Sequence, residues 1–436
     1  MNETHDPRRI SWVESAQGTT DFPIQNLPFG VFRSDGRGDP RVGIAIGDQI
    51  VDVSACAHLG RLGESAATAA AVCDLPVLNH LMELGREHWS ALRREVSLLL
   101  TADSPAFRAD SRLGEKILVP KSEAELLLPV RVGDYTDFYA SVHHATNVGS
   151  MFRPDNPLLP NYKWLPIGYH GRASSIVPSG TPVRRPQGQL KDPNSDAPVF
   201  APTRGLDYEM EVGCFVGGGN ALGNSVPIEA AEERMFGLCL VNDWSARDIQ
   251  TWEYQPLGPF LAKNFATTVS PWVVTLEALE PFRIPAFERA SGDPAPLPHL
   301  DSRANRERGG VDVTVEVSLC TAGMRDAGLP EQRVSRGRMA DLYWTLAQMF
   351  AHHTSNGCNF QPGDLFATGT ISGPGKDARG CLLELTWRGA EPLTLPTGET
   401  RKFLEDGDEV IMRGYCERPG TARIGFGECR GVVLPA

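Results

Sequence analysis

The chain has 436 residues, 41% of them hydrophobic and 22% charged, with 42 Lys and Arg against 54 Asp and Glu. A net charge of −12 excludes a general affinity for nucleic acid or anionic membrane, because the chain offers neither a basic surface to dock on. It leaves room for an anionic small substrate, which needs only a local group of cations.

The length exceeds what one core usually holds, so two domains are expected. The polar start, Met1 to Arg9, lacks the apolar core of a secretory signal, and no apolar run is long enough to span a bilayer. The nine cysteines are scattered without a Cys-x-x-Cys pair. That usage predicts reduced, mostly buried thiols and a cytoplasmic protein.

In chain order, Phe29–Phe32 and Val42–Ile46 read as strands, with Gly47-Asp48 as a hairpin turn before Ile50. Leu78, Leu81, Met82, Gly85, Trp89, Leu92, Val96 and Leu99 recur at helical spacing and predict one amphipathic helix. From Leu100 to Glu125 the chain turns polar and irregular, which places a domain boundary there: residues 1–125 and 126–436. The second part is punctuated by Gly and Pro and reads as mostly β, in a rolled or barrel-like sheet. The Pro- and Arg-rich stretch 182–204 reads as an ordered surface loop. Val311, Val313, Val315, Val317 and Leu319 alternate with polar residues as a half-buried strand, and Pro362-Gly363-Asp364 and Asp406-Gly407-Asp408 are turns.

Four clusters could carry chemistry. A helix predicted from Thr136 would put Asp137 and His144 on one face, with His143 turned about 100° away; the alternative is a capping Asp137 and a merely satisfied His144. In Leu206 to Val212, strand alternation puts Glu209 and Glu211 on one side, either as a solvated face or as paired donors to a hard cation. Asp243 ends the apolar run Phe236–Val241, where it could also cap a following helix. Arg247, Gln250 and Tyr254 share the face of that helix. Lys263 follows among apolar residues, where snorkelling is its plain alternative. Finally, Gly369-Thr370-Ile371-Ser372-Gly373 reads as a turn with an exposed hydroxyl. It precedes Glu384, which interrupts an apolar strand as a paired carboxylate or as an outward edge residue. Zinc-type spacing, phosphate loops, dinucleotide glycines and a Gly-x-Ser-x-Gly elbow are all absent.

Taken together these segments resemble the fumarylacetoacetate hydrolase family. The resemblance rests on Gly133 to Tyr139, His144 to Gly149, Gly168 to Ser175, Asn242 to Ile249, Trp252 to Phe260, Gly369 to Gly373 and the final Gly425-Phe426-Gly427, and it covers all but about the first dozen residues. It implies a small SH3-like N-terminal β domain, a C-terminal β-roll and a homodimer. It implies a Mg²⁺ or Ca²⁺ ion on Asp137, Glu209, Glu211 and Asp243, with Lys263 and Thr267 nearby. His144 would be the base, Glu384 its carboxylate partner, and Arg247, Gln250 and Lys263 the oxyanion donors. Tyr139, Arg153, Tyr169, Gln250, Tyr254 and Thr370 would contact a small β-diketo acid. The implied reaction is hydrolysis of a carbon–carbon bond in fumarylacetoacetate, the last step of tyrosine and phenylalanine breakdown. An acylpyruvate hydrolase, a related keto-acid decarboxylase or isomerase, and a non-catalytic metal-binding protein on the same fold are the alternatives. Two residues depart from the family pattern: His143 precedes the base, and Ala266 stands where glycine is usual.

Overall fold

A computed structural model describes residues 1–34, 36 and 38–436. The early strands form as expected. Phe29–Ser34 pairs antiparallel with Arg41–Ile46, and Gly47, at φ 57°, turns the chain into Gln49–Asp52. Leu118–Pro120 and Ala124–Leu126 add the two edges of a five-stranded antiparallel sheet.

The single helix expected from Leu78 to Leu99 is two helices, Asn79–Glu83 and Arg86–Leu100. Gly85 lies between them at φ 87°, a left-handed conformation that ends the first and re-aims the second. The apolar face survives the break, because Leu81, Met82, Trp89, Leu92 and Val96 all stay buried.

The rest of the chain is α+β and strand-rich, with curled sheets. An eight-stranded mixed sheet runs in the order Gly168–His170, Tyr135–Phe138, Leu365–Ala367, Met210–Val216, Met235–Asp243, Thr267–Val269, Ile176–Pro178, with Val274–Thr275 also paired to Met235–Asp243. A second sheet runs Gln332–Arg338, Thr314–Cys320, Glu409–Cys416, Ile424–Leu434, Val183–Arg184. The alternating valines from Val311 to Leu319 are buried as expected, in two pieces, Gly310–Val311 and Thr314–Cys320. The stretch 182–204 is not a loop: it contributes Val183–Arg184 to that sheet, and Gln187–Leu190 pairs with Val199–Pro202.

Apolar rows on both faces of the eight-stranded sheet hold these layers together. On one face Met210, Val212, Cys214, Leu238 and Leu240 pack with Val315, Val317 and Met412 of the second sheet. On the other, Tyr135, Phe215, Phe236, Cys239 and Val241 pack with the N-terminal sheet and helices. Trp89 meets Phe236 edge-on at 5.0 Å. Each strand of this sheet is therefore sandwiched, and a polar side chain on it must find its partners inside the protein. All nine cysteines are free, and all but Cys358 are buried. Among the described residues no helix is long and apolar enough to cross a membrane.

Candidate active site and metal centre

Strand alternation explains where the carboxylates go. Tyr135 and Asp137 share a face, as do Cys239, Val241 and Asp243, and Glu209, Glu211 and Phe215. Each acid continues an apolar row that faces the N-terminal layer. Asp137 lies opposite Ala367 and Tyr169 in the flanking strands, Glu211 opposite Val241, and Asp243 opposite Thr267. The pairing directions bring all four acids to the same end of the sheet. One oxygen from each of Asp137, Glu209, Glu211 and Asp243 lies within 4.8 Å of the others, and all four residues are buried.

Asp137 thus sits on a strand, not on the helix expected from Thr136. Parallel pairing with Leu365–Ala367 and antiparallel pairing with Gly168–His170 hold that segment extended, and the helix starts only at Val142, capped by Ser141. Asp137 and His144 are therefore joined by a strand–helix turn and do not share a helix face. Asp243 likewise ends a strand and caps nothing. The next helix is Arg247–Glu253, with Ala246 at its N-cap.

The cluster is only partly neutralised. Lys263 Nζ donates to Glu209 Oε2 and Asp243 Oδ2, both at 2.6 Å. Arg247 donates to Glu209 Oε1 at 2.6 Å and to Asp207 Oδ2 at 2.9 Å. Tyr169 and Thr267 hydroxyls donate to Asp243 at 2.7 and 3.1 Å, and the Gly369 amide donates to Asp137 at 3.1 Å. Gly369 holds φ 72°, and a β-carbon there would fall 2.1 Å from the Phe138 carbonyl. Glu211 is different. Its side chain is fully buried, and neither oxygen has a hydrogen-bond partner among the described residues. A bare buried carboxylate costs several kcal/mol, of order 1–3 or more. Four hard oxygen donors, with no nitrogen or sulfur among them, fit Mg²⁺, Ca²⁺ or Mn²⁺.

Acidities follow the same pattern. Burial, then Asp137 and Asp243, push Glu211 well above the ordinary carboxylate range. Burial and Asp243 raise Asp137, and burial raises Asp243 despite Lys263. Burial would raise Glu209 too, but Lys263 and Arg247 beside it bring it down.

A second buried pair stands beside this cluster. His144 Nδ1 lies 2.6 Å from Glu384 Oε2. Glu384 is not on a strand as expected but on a one-turn helix, Leu382–Leu385, and is fully buried. Burial alone would raise its carboxyl. The His144 charge and hydrogen bonds from His144, Asn147 and Ser372 outweigh that and hold it at about 2. The hydroxyls of Thr370 and Ser372 are buried, not exposed. Ser372 donates to Glu384 at 2.8 Å, while Thr370 Oγ1 has no partner among the described residues.

The other expected residues divide. Tyr139 stands edge-on to His144 at 5.2 Å, and Gln250 Oε1 accepts from Arg247 at 3.2 Å, so both border the cluster. Arg153 and Tyr254 are exposed and lie outside it: Arg153 donates to the Pro157 carbonyl, and Tyr254 sits at the end of the Arg247–Glu253 helix. His143 faces Phe287, away from the cluster. Ala266 is a buried core residue.

Three participants were not among the expected site residues. Asn147 donates to Glu384 Oε1 at 2.8 Å, one turn after His144. Ser372 is the second. Asp207 accepts from Arg247 and from the amides of Leu382 and Leu383, at 2.8 and 3.0 Å. The i, i+3 spacing from His144 could have flagged Asn147; nothing local marks Asp207.

Residues 134–434 match the family model described as fumarylacetoacetate (FAA) hydrolase C-terminal, and residues 25–129 match the fumarylacetoacetase N-terminal model. The chain belongs to the fumarylacetoacetase family. It is 50% identical over 428 residues to a Homo sapiens fumarylacetoacetase, covering 98% of this chain and 99% of that one. It is 51% identical over 425 residues to a Caenorhabditis elegans fumarylacetoacetase, covering 97% and 98%. A solved fumarylacetoacetate hydrolase from psychrophilic Exiguobacterium antarcticum shares the fold, with a TM-score of 0.52 and 17% identity over 94% of this chain and all of that one.

Carboxyls raised in the folded state support folding at low pH and withdraw that support as pH climbs through the raised values. Asp137, Glu211 and Asp243 are raised. Metal-stripped protein should therefore lose stability relative to Mg²⁺- or Ca²⁺-loaded protein as pH rises from about 4, where unfolded carboxyls titrate, towards neutrality. Thermal melting of both forms across that range should show a widening gap; a gap independent of pH would contradict the assignment.

Proposed function

We propose that this chain hydrolyses 4-fumarylacetoacetate to fumarate and acetoacetate. The observation that carries the reading is one buried region holding both a four-carboxylate site and a His–Glu pair, in a chain about half identical to named fumarylacetoacetases along nearly its whole length. Asp137, Glu209, Glu211 and Asp243 would hold a divalent cation, Mg²⁺ or Ca²⁺, with Lys263 and Thr267 fixing the acids from behind. When bound, the ion supplies Lewis acidity towards the diketone oxygens.

The chain's own groups account for the proton transfers. An ionised Glu384 is acceptor-only, so it holds the proton of His144 on Nδ1 and leaves Nε2 free to take one from water. Asn147 and Ser372 keep the carboxylate aimed. Hydroxide adds to the carbonyl on the fumaroyl side. Arg247 Nη2 is buried and has no partner among the described residues, so it is poised to donate to the oxyanion that forms. Gln250 and Lys263 border it. Collapse of the oxyanion breaks the carbon–carbon bond, and the departing acetoacetate carbanion takes back the proton held by His144. Tyr139, Tyr169, Tyr254 and Thr370 would line the substrate, and Arg153 must swing inwards to grip its carboxylate.

Homodimer assembly belongs to the same reading. Leu257 and Phe260, 97% and 62% exposed, stand with Trp252 and Leu261 as an uncovered apolar group. Sedimentation velocity should give twice the chain mass, and Leu257→Asp with Phe260→Asp should shift it to one chain; an unchanged dimer would remove this surface from the interface.

His144→Ala should keep divalent-cation binding by calorimetry and lower turnover at least about 100-fold, the usual worth of a general base. The assay is loss of fumarylacetoacetate absorbance with fumarate and acetoacetate measured as products. Near-normal turnover would remove His144 as the base.

A further inference from the structure

The buried His–Glu pair has a third neighbour of different chemistry. Cys381 Sγ lies 3.2 Å from Glu384 Oε2, the same oxygen that meets His144 Nδ1 at 2.6 Å. One donor atom from each of His144, Cys381 and Glu384 falls within 4.8 Å of the other two, and all three residues are buried. Cys381 stands at the N-cap of the Leu382–Leu385 helix, which turns its sulfur and the Glu384 carboxylate towards the same point.

We propose that His144, Cys381 and Glu384 form a second metal site, selective for a soft divalent cation such as Zn²⁺, whose occupation switches the hydrolase off. The donor set is imidazole, thiol and carboxylate, a combination that suits zinc and that Mg²⁺ and Ca²⁺ avoid. Usual zinc bond lengths put neighbouring donors about 3.3–3.6 Å apart around a tetrahedral ion. The present separations of 2.6 and 3.2 Å need to open by less than about 1 Å. A fourth position remains for water. The four-carboxylate cluster offers oxygen alone, so the two sites sort cations by hardness.

The exchange balances without any redox step. Zinc displaces one proton to solvent, that of the Cys381 thiol, while the ring proton of His144 moves from Nδ1 to Nε2, and the ion gains a nitrogen, a sulfur and an oxygen ligand. The hydrogen bond between His144 and Glu384 is lost. With Nδ1 on the metal and the ring proton on Nε2, the imidazole has no lone pair left, and it can no longer take a proton from water. Binding itself rests on geometry; the inhibition rests on the proposed role of His144.

Protein loaded with Mg²⁺ in thiol-free buffer should be titrated with Co²⁺ and separately with Zn²⁺. Cobalt should produce a near-ultraviolet sulfur-to-metal charge-transfer band that saturates at one equivalent while Mg²⁺ stays bound. Zinc should abolish that band in competition and show a sulfur neighbour at about 2.3 Å by X-ray absorption. Turnover should fall in step with zinc occupancy. Cys381→Ser should lose the band and weaken zinc binding at least about 10-fold. Binding without sulfur ligation, or release of one Mg²⁺ for each Zn²⁺ bound, would overturn the site. Sulfur-ligated zinc with unimpaired turnover would overturn the switch and the role of His144, and leave the site itself standing.

Discussion

Four carboxylates meeting in a buried corner is the constraint on which the rest of this structure depends. Asp137, Glu211 and Asp243 come from three strands of one sheet and Glu209 from the residue just before one of them, and the sheet is covered on both faces. Like charges so placed repel, and taking each out of water costs several kcal/mol after relaxation. Lys263 and Arg247 offset part of that through short contacts to Glu209 and Asp243. Glu211 receives no such help. A protein this invested in burying acids is poised for a hard cation and is held under electrostatic tension without one.

The same charges connect the carboxylate cluster to the His144–Glu384 pair. Arg247 bridges Glu209 and Asp207. Asp207 in turn holds the first two amides of the Leu382–Leu385 helix, whose orphan donors need an acceptor. That helix carries Glu384, which orients His144. A run of charge-assisted hydrogen bonds and one helical turn therefore sets the position of the His144–Glu384 pair relative to the carboxylate cluster, although Glu384 and Glu209 lie in distant parts of the sequence. Asp207 joins the two halves of this run.

Much of the site was legible before the fold was known, but unevenly. Glu209 and Glu211 were readable as a pair because strand alternation is local. Asp243 was readable because it ends an apolar run. Secondary structure around them was misjudged wherever long-range pairing overrode local preference. Asp137 lies in a segment that reads as helical and becomes a strand because Leu365–Ala367 and Gly168–His170 pair with it. Glu384 reads as a strand residue and occupies one helical turn because Asp207, 177 positions earlier, caps it. The break at Gly85 was invisible to periodicity, since the apolar face continues across it. No sequence pattern indicated that the strand carrying Glu211 would be buried on both sides, which is what makes an ordinary Glu-x-Glu a candidate cation site.

The most direct test is a crystal of the protein soaked in Mn²⁺, with anomalous scattering used to locate the ion. The account predicts one strong peak bounded by Asp137, Glu209, Glu211 and Asp243, about 2.0–2.6 Å from their oxygens, with Glu211 ligated. A peak elsewhere, or a Glu211 carboxyl left without a cation while the ion binds other groups, would contradict it.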